Sequence, residues 1–469
     1  MFSPLLGVLC LGLASLSHVA LAQQYAGDVI PNSLPGVPGA ELAYFRVADP
    51  KGKNNALTLI NYQSLQRDRS RLVPSKIQRA VIVIHGLNRD PGTYMSNMLS
   101  ALNNGGISDP NINQDSVAIF APYFSNGDDK NVGYPWTSGL SPGRGSTSNA
   151  LVWQASYWAS GSNNQYPWNA TSVSSFEALD QIVKYFDNRA MFPNMKHIVV
   201  AGHSLGAQAT NRYAEVGNVL NTVSPVTYYI ANPNSWAWMS VDRPLSTAGC
   251  DRYDNWREGF SNYTQYPMSY GVSLVNQGRS AILAQYNSRS KAYARGIQDT
   301  ADDSSTCAPY TTGANRNERF FNFIKAFPAV CSAPGTGQCD TIDYVDAGHD
   351  SGVMFASPAG LARLFVDSFY GSLPGSVAYD FGYPRRQAGD DPFPDPTQKS
   401  AVISTPSEVY AGNMTYAGCW TDSASGSRSL KVVSYESASN TIEMCTSSCA
   451  QLGYLIAGVC GRLLSSDAS

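Results

Sequence analysis

The sequence predicts an α/β protein built on a mostly parallel sheet with helices on both faces. Apolar, strand-like runs recur along the chain, and helical patterns separate the later ones, as is typical of parallel sheets. A pentapeptide that fits a sharp turn, Gly202-His203-Ser204-Leu205-Gly206, directly follows one of these runs. The predicted strands are 42–47, 56–62, 80–84, 116–120, 197–201, 226–230, 291–297 and 341–345.

The pentapeptide has the residues needed for a turn from a buried strand into a helix. Such a turn strains the backbone of its central serine, and the residues two before and two after must be small. Gly202 and Gly206 meet that requirement, and residues 207–216 continue with helical spacing. The motif therefore predicts Ser204 as a nucleophile and the N–H of Leu205 as one donor of an oxyanion hole.

A second apolar strand, 80–84, ends in His85-Gly86-Leu87. This loop resembles the His-Gly oxyanion loop of α/β-hydrolases. The resemblance implies that the N–H of Leu87, or else that of Asn88, supplies the second oxyanion donor.

A general base at neutral pH is best supplied by histidine, and the chain has five. Only His349 lies downstream of the elbow. The others lie in the N-terminal apolar segment, in the loop after 80–84, at the start of the elbow strand and inside the pentapeptide. His349 stands in a turn between the predicted strand 341–345 and a predicted helix from Val353 to Tyr370. His349 is therefore the predicted base.

The acid should lie between the serine and the histidine, where it would accept the Nδ1–H of His349. The predicted strand 291–297 is followed by Asp299, Asp302 and Asp303. Asp299 is the predicted acid because it lies nearest the carboxyl end of that strand. Asp302 and Asp303 remain alternatives.

Over roughly residues 80–381 these features resemble the α/β-hydrolase superfamily. The resemblance implies the α/β-hydrolase fold and acyl transfer through an acyl-serine, with Ser204 attacking a carbonyl, His349 moving the proton and Asp299 orienting His349. It implies no metal and no organic cofactor. The main expectation is a carboxylic ester hydrolase acting on a small or polymer-linked ester; a serine peptidase is an alternative.

Composition and the N-terminus predict a secreted protein. The net charge of −3 argues against a nucleic acid partner. Residues 5–16 are apolar over the length of a signal peptide, and residues 20–22 fit the small-residue cleavage rule, so 1–22 is the predicted leader. No later segment is apolar enough to predict a membrane span.

The cysteines outside the leader form two sets of four, which predicts disulfides within each set without choosing their connectivity. The sets are Cys250, Cys307, Cys331 and Cys339, then Cys419, Cys445, Cys449 and Cys460. N-glycosylation sequons begin at Asn169, Asn262 and Asn413.

Two insertions, about 126–170 and 232–289, interrupt the predicted catalytic domain 23–384. Both are rich in aromatic residues and are predicted to overhang the carboxyl ends of the strands like a lid. Their aromatic residues are expected either to form local cores or to line a pocket.

Residues 385–414 are rich in Pro, Asp and Ser, which predicts a linker. In the following 415–469, Cys419-Trp420, Cys445, Cys449 and Gly453-Tyr454 resemble a WSC domain, a small disulfide-rich module of fungal wall sensors and secreted enzymes. The match covers about 45 residues and fails after Gly458, so the expected module is partial. The resemblance implies binding to wall polysaccharide. The second hypothesis is therefore a glycan-binding, wall-associated protein whose hydrolase fold has no substrate.

Overall fold

The computed structural model describes residues 34–54, 57–131, 149–167, 170–302, 304–333 and 338–371, with short strands at 24–25, 409–410 and 414–415. Residues 1–390 and 391–469 form two separate units. The predicted leader lies outside the described residues. The predicted linker and C-terminal module do so as well, apart from the two strand segments at 409–410 and 414–415, which pair antiparallel.

The strands follow the predicted apolar runs closely. In the first unit they are β1 (Gln24–Tyr25), β2 (Ala40–Arg46), β3 (Thr58–Ser64), β4 (Arg79–Ile84), β5 (Val117–Pro122), β6 (His197–His203), β7 (Val226–Ala231), β8 (Ser290–Gly296), β9 (Cys331–Ala333), β10 (Gln338–Cys339) and β11 (Thr341–Val345).

A single large sheet combines most of these strands in the order β1-β2-β3-β5-β4-β6-β7-β8-β11. The pairs from β5 through to β11 are parallel, whereas β1, β2 and β3 join antiparallel at one edge. The predicted mostly parallel sheet is confirmed. The β9 and β10 strands form a separate antiparallel pair.

The helices are α1 (Pro91–Asn104), α2 (Ser175–Asp187), α3 (Leu205–Val216), α4 (Val272–Asn276), α5 (Arg279–Asn287), α6 (Arg316–Ala326), α7 (Ser351–Ala356) and α8 (Pro358–Leu361). Neighbouring residues of β5 show that both faces of the sheet are covered. Ile119 joins the core cluster that includes α1 and α7, whereas Phe120 points the other way and contacts Phe186 of α2. A sheet covered on both faces requires continuous apolar strands, which is why these strands were predictable.

The prediction of one continuous helix from Val353 to Tyr370 is wrong, because the segment is interrupted. Helix α7 ends at Ala356, α8 begins at Pro358, and a π-helical turn follows at 362–366. Proline disfavours helical backbone at the residue before it, and Ser357 is extended, with φ −62° and ψ 153°. The Ser357 hydroxyl instead accepts the N–H of Gly360 at 3.0 Å and begins α8.

The described aromatic residues of the two insertions are mostly buried, which favours local cores over a ligand surface. Trp153 and Trp158 of the first insertion surround Phe124, and Trp158 stacks on it at 5.7 Å between ring centroids. In the second insertion, Trp236 stacks on Phe323 of α6 at 4.2 Å. Trp136 and Trp168 lie outside the described residues.

One predicted disulfide set is described in part. Cys250 and Cys307 are bonded to each other, which links the second insertion to the loop after β8. The side chains of the other two cysteines of that set, and all of the C-terminal four, lie outside the described part. Of the sequon asparagines, Asn262 is exposed, while the other two lie outside the described residues.

Candidate active site

Ser204 occupies the turn between β6 and α3. Its backbone has φ 60° and ψ −125°, a conformation that non-glycine residues rarely adopt and that costs about 1–3 kcal/mol. The N–H of Ser204 donates to the carbonyl of Ala231 at the end of the neighbouring strand β7, at 3.0 Å. The strained serine is therefore held in place by the sheet.

The two glycines of the pentapeptide lie where no side chain fits. A Cβ on Gly202 would lie 2.2 Å from the carbonyl oxygen of Gly206, and a Cβ on Gly206 would lie 2.2 Å from that of Ile84 in β4. Both obstacles are backbone atoms, which cannot rotate away. The start of α3 can pack against the ends of β4 and β6 only because both residues are glycine.

Replacing Gly206 with alanine should lower the free energy of unfolding by about 1–3 kcal/mol, because the new methyl group must displace the end of β4. Equilibrium denaturation with urea would measure the loss. Gly36→Ala is a suitable control, since a Cβ there meets nothing within 4 Å. If Gly206→Ala unfolds at the same urea concentration as the control, the proposed clash does not occur.

His349 and Asp299 form a hydrogen-bonded chain with Ser204. His349 Nε2 lies 2.9 Å from Ser204 Oγ, and His349 Nδ1 lies 2.7 Å from Asp299 Oδ2. The three residues follow the carboxyl ends of β6, β8 and β11, which are parallel and therefore end at one edge of the sheet, where open α/β sheets bind ligands. Of the alternative acids, Asp302 bonds instead to Arg319 at 3.1 Å, and Asp303 lies outside the described residues.

The strand order, the strained serine after β6, and an acid and a histidine that follow it in chain order decide the architecture. The chain has the α/β-hydrolase fold. In this fold, the residues that follow the ends of β6, β8 and β11 lie on separate loops that only the sheet brings together.

Asp299 is buried, with 2% of its surface exposed, and has several hydrogen-bond partners. Arg316 donates from Nη1 to Oδ1 at 2.8 Å, and Arg295 Nη1 lies 3.5 Å from Oδ2. Burial by itself would raise the pKa of Asp299. The hydrogen bond from His349 and the positive charge of Arg295 outweigh burial and lower the pKa to about 2, so Asp299 is ionised across the neutral range.

His203 lies against His349 without joining the chain to Ser204. The two rings are tilted by 41° with centroids 4.6 Å apart, and His203 is only 2% exposed. Burial and the neighbouring His349 lower the pKa of His203 to about 3, so its ring is neutral. His203 therefore packs against the His349 ring as a neutral side chain.

The loop after β4 brings Gly86 and Leu87 beside the serine. A Cβ on Gly86 would lie 3.7 Å from Ser204 Cβ, and the Leu87 side chain is 60% exposed. On the other side of the serine, Leu205 is the first residue of α3, and the first amides of a helix have no partner within the helix. The structure therefore brings the two predicted oxyanion loops, after β4 and after β6, to the same serine.

The side chain of His85 contacts the backbone of this loop on its buried side. It is fully buried, its Nε2 accepts the N–H of Phe124 at 3.0 Å, and its Nδ1 lies 3.0 Å from the Gly86 carbonyl. Because Nε2 accepts, the ring proton sits on Nδ1 and is donated to Gly86. Burial lowers the pKa of His85 to about 3, which keeps this neutral form. The side chain of His85 thus fixes the backbone that carries Leu87.

Sequence reasoning did not find Arg295 or Arg316. Arg295 gave one signal, since it is the charged residue in the otherwise apolar stretch 292–297 of a strand predicted to be buried. A buried arginine requires a partner, and here the partner is Asp299. Arg316 opens helix α6 and carried no comparable signal. Among the described residues, no group of three or more His, Cys, Asp and Glu side chains could hold a metal ion.

No protein-family model and no curated protein sequence matches the chain. Solved structures with similar folds include poly(aspartic acid) hydrolase-1 from Sphingomonas sp. KT-1, at 14% identity and TM-score 0.43, covering 70% of this chain and 100% of that one. A poly(3-hydroxybutyrate) depolymerase from Bordetella parapertussis matches at 15% identity and TM-score 0.41, covering 69% and 88%. A siderophore hydrolase from Aspergillus nidulans matches at 13% identity and TM-score 0.36, covering 76% and 99%.

Proposed function

We propose that this protein is a serine hydrolase that cleaves carboxylic esters through an acyl-enzyme. The observation that carries the proposal is the continuous hydrogen-bonded chain from Ser204 Oγ through His349 to Asp299, with donor–acceptor distances of 2.9 and 2.7 Å. A serine hydroxyl is a weak nucleophile by itself, and a base within hydrogen-bond distance is what activates it.

In the first half-reaction, Ser204 Oγ attacks the ester carbonyl while His349 Nε2 takes the hydroxyl proton. Asp299 accepts the His349 Nδ1–H and stabilises the imidazolium by its negative charge. The tetrahedral intermediate then collapses, His349 returns the proton to the departing alcohol, and the acyl group remains on Ser204. A water molecule, deprotonated by the same histidine, releases the acid in the second half-reaction.

The amides of Leu87 and Leu205 are proposed as the oxyanion hole. Both belong to loops that flank Ser204, and two backbone N–H groups aimed at one oxygen stabilise the charge of the tetrahedral intermediate. The buried His85 and the glycine-dependent packing of α3 hold these two loops in place. Such rigidity suits an oxyanion hole, because donors that are already oriented need no reorganisation in the transition state.

Secretion and attachment to wall polysaccharide are further parts of the proposal. Secretion is supported by the apolar residues 5–16 and the small residues 20–22, and attachment by the resemblance of 415–469 to a WSC domain. Within the described part of the chain, no helix has the length and apolar character needed to cross a membrane.

Covalent labelling tests the proposed mechanism directly. The secreted protein would be treated with a fluorophosphonate probe, which reacts with activated serines, and the modified peptide would be located by mass spectrometry. Turnover of p-nitrophenyl acetate, butyrate and octanoate, beside a p-nitroanilide, would separate ester from amide hydrolysis. We expect labelling at Ser204 and ester turnover.

The Ser204→Ala variant is the control, and it should lose both labelling and turnover. Labelling that persists in this variant would place the reactive serine elsewhere. A wild-type protein that is folded by circular dichroism but neither labels nor turns over any ester would overturn the proposal and favour the polysaccharide-binding hypothesis.

A further inference from the structure

We infer that Asn232 is a positioning residue, whose side-chain amide fixes the turn that carries His349 to the turn that carries Asp299. The inference rests on the proposed function, because it concerns the same hydrogen-bonded chain from Ser204. Asn232 directly follows strand β7, and its side chain is fully buried. Its two side-chain bonds go to the backbone beside the acid and the base rather than to the acid and the base themselves.

The side-chain amide of Asn232 bridges two separate parts of the backbone. Its Oδ1 accepts the N–H of Gly296, the last residue of β8, at 2.7 Å. Its Nδ2 donates to the carbonyl of Gly348 at 3.2 Å. A backbone N–H can only donate and a carbonyl can only accept, so these two partners permit a single orientation of the amide. The amide therefore sets the separation between Gly296 and Gly348.

These two glycines adjoin the acid and the base. The carbonyl of Gly296 accepts the N–H of Asp299 at 3.0 Å, which closes the turn that presents the carboxylate. Gly348 directly precedes His349 in the chain. His349 Nδ1 and Asp299 Oδ2 lie 2.7 Å apart, and a hydrogen bond weakens steeply when its angle departs far from linearity. The Asn232 amide therefore acts on the alignment of the acid with the base.

The backbone of Asn232 connects the same residue to the nucleophile. The carbonyl of the peptide unit between Ala231 and Asn232 accepts the N–H of Ser204 at 3.0 Å. The N–H of that peptide unit donates to the carbonyl of Ala294 in β8 at 3.2 Å. One residue thus contacts the backbone that supports all three members of the chain.

The conformation of Asn232 explains why the side chain is an amide. Its φ is 50°, in the left-handed region that glycine adopts freely and asparagine more readily than most other residues. Glycine could take this conformation, but it could not bond to Gly296 and Gly348. A Cβ on Gly296 would lie 2.6 Å from the Ala347 carbonyl oxygen and 3.0 Å from Asn232 Nδ2, so the three backbone segments pack closely around the amide.

Other hydrogen bonds also join the turns of the acid and the base. They run from the N–H of Ile297 to the Val345 carbonyl at 2.9 Å, from the N–H of Gln298 to the Ala347 carbonyl at 3.0 Å, and from Gln298 Nε2 to Asp346 Oδ1 at 2.7 Å. These bonds reach Ala347, and the Asn232 amide extends the connection to Gly348, next to His349. Loss of the amide should therefore misalign His349 without separating the two turns.

The variant Asn232→Gly tests the inference, because glycine keeps the positive φ and removes both side-chain bonds. We expect kcat for a p-nitrophenyl ester to fall by about 10- to 100-fold, as when reacting groups are misplaced by about 1 Å. KM should change by less than about threefold, because a fully buried side chain does not contact the substrate. Steady-state kinetics, measured well below the melting temperature of each variant, would give both constants.

Asn221→Gly is the matched control. Asn221 has almost the same φ, 49°, but is exposed, so its replacement makes the same backbone change away from the site. We expect the control to keep the wild-type kcat. Asn232→Ser is a second variant, to be used if Asn232→Gly does not fold. The serine hydroxyl is too short to reach both partners, so its kcat should also fall.

A purely structural role would give a different result. The Asn232 variants would then lose thermal stability while kcat stayed equal to that of Asn221→Gly, and the inference would be overturned. A higher KM with unchanged kcat would also overturn it, because that result indicates lost substrate binding rather than misaligned catalytic groups.

Proton NMR separates this inference from the proposed function, because it requires no turnover. The ring N–H of His349 that donates to Asp299 should resonate far downfield of the backbone amides, and its absence in His349→Gln would assign it. We expect this resonance to move upfield and broaden in Asn232→Gly and to stay unchanged in Asn221→Gly. If the wild type hydrolyses no ester, the proposed function fails, yet this difference still supports the inference. An identical resonance in wild type and Asn232→Gly overturns the inference whatever the turnover.

Discussion

Replacing His349 with glutamine should reduce kcat for ester hydrolysis by about 10⁶-fold, the loss typical when a triad histidine is removed. The reason is geometric: His349 Nε2 lies 2.9 Å from Ser204 Oγ, and the other described histidines are buried and bonded or packed elsewhere. Among the described residues, no other histidine is therefore in position to take the serine proton. The measurement is steady-state hydrolysis of a p-nitrophenyl ester at neutral pH.

The double variant Ser204→Ala with His349→Gln provides the control. Residues that act as one unit show non-additive losses, so the double variant should be no slower than either single variant. Thermal unfolding of each variant would show that the fold is intact. A His349→Gln enzyme that retains more than about one hundredth of the wild-type kcat would exclude His349 as the general base.

Replacing Asp299 with asparagine should lower kcat by about 10⁴-fold, because a neutral amide cannot stabilise the imidazolium and permits the wrong tautomer of His349. A second effect is specific to this protein. Arg295 and Arg316 would lose the buried carboxylate of Asp299, and breaking a buried ion pair costs about 3–5 kcal/mol. Activity and the free energy of unfolding should therefore fall together, as measured by steady-state kinetics and by urea denaturation.

The neighbouring Asp302→Asn is the matched control. Asp302 was an alternative acid from the sequence, but its side chain is 43% exposed and bonds to Arg319 rather than to His349. We expect its kcat to change by less than about threefold, as for an exposed ion pair outside the site. A large loss in Asp302→Asn with little loss in Asp299→Asn would mean that Asp302 serves as the acid in solution.

Much of the framework could be predicted because it depends on residues adjacent in sequence. Strands such as 80–84 and 197–201 are continuous apolar runs, since both faces of the sheet are buried, and β4 and β6 contain them. The turn at Ser204 was predictable for a related reason. The turn requires small residues two positions before and two positions after the serine. A Cβ at Gly202 or Gly206 would clash with backbone atoms, which is why both must be glycine.

Other features could not be predicted because they depend on contacts between distant parts of the chain. The sequence offered three acids within five residues, and only the packing of β8 beside β11 brings Asp299, rather than Asp302, to His349. The break at Pro358 is local in cause, yet the apolar pattern through 353–370 concealed it.

By itself, the sequence determined the parallel sheet, the serine turn and the chain order of the candidate residues, because local sterics and burial dictate all three. Only the tertiary structure decided which acid meets the histidine, that His85 supports the loop of Leu87, and that Arg295 and Arg316 surround Asp299. Those contacts join residues on different elements, and a buried charge finds its partner in space rather than along the chain.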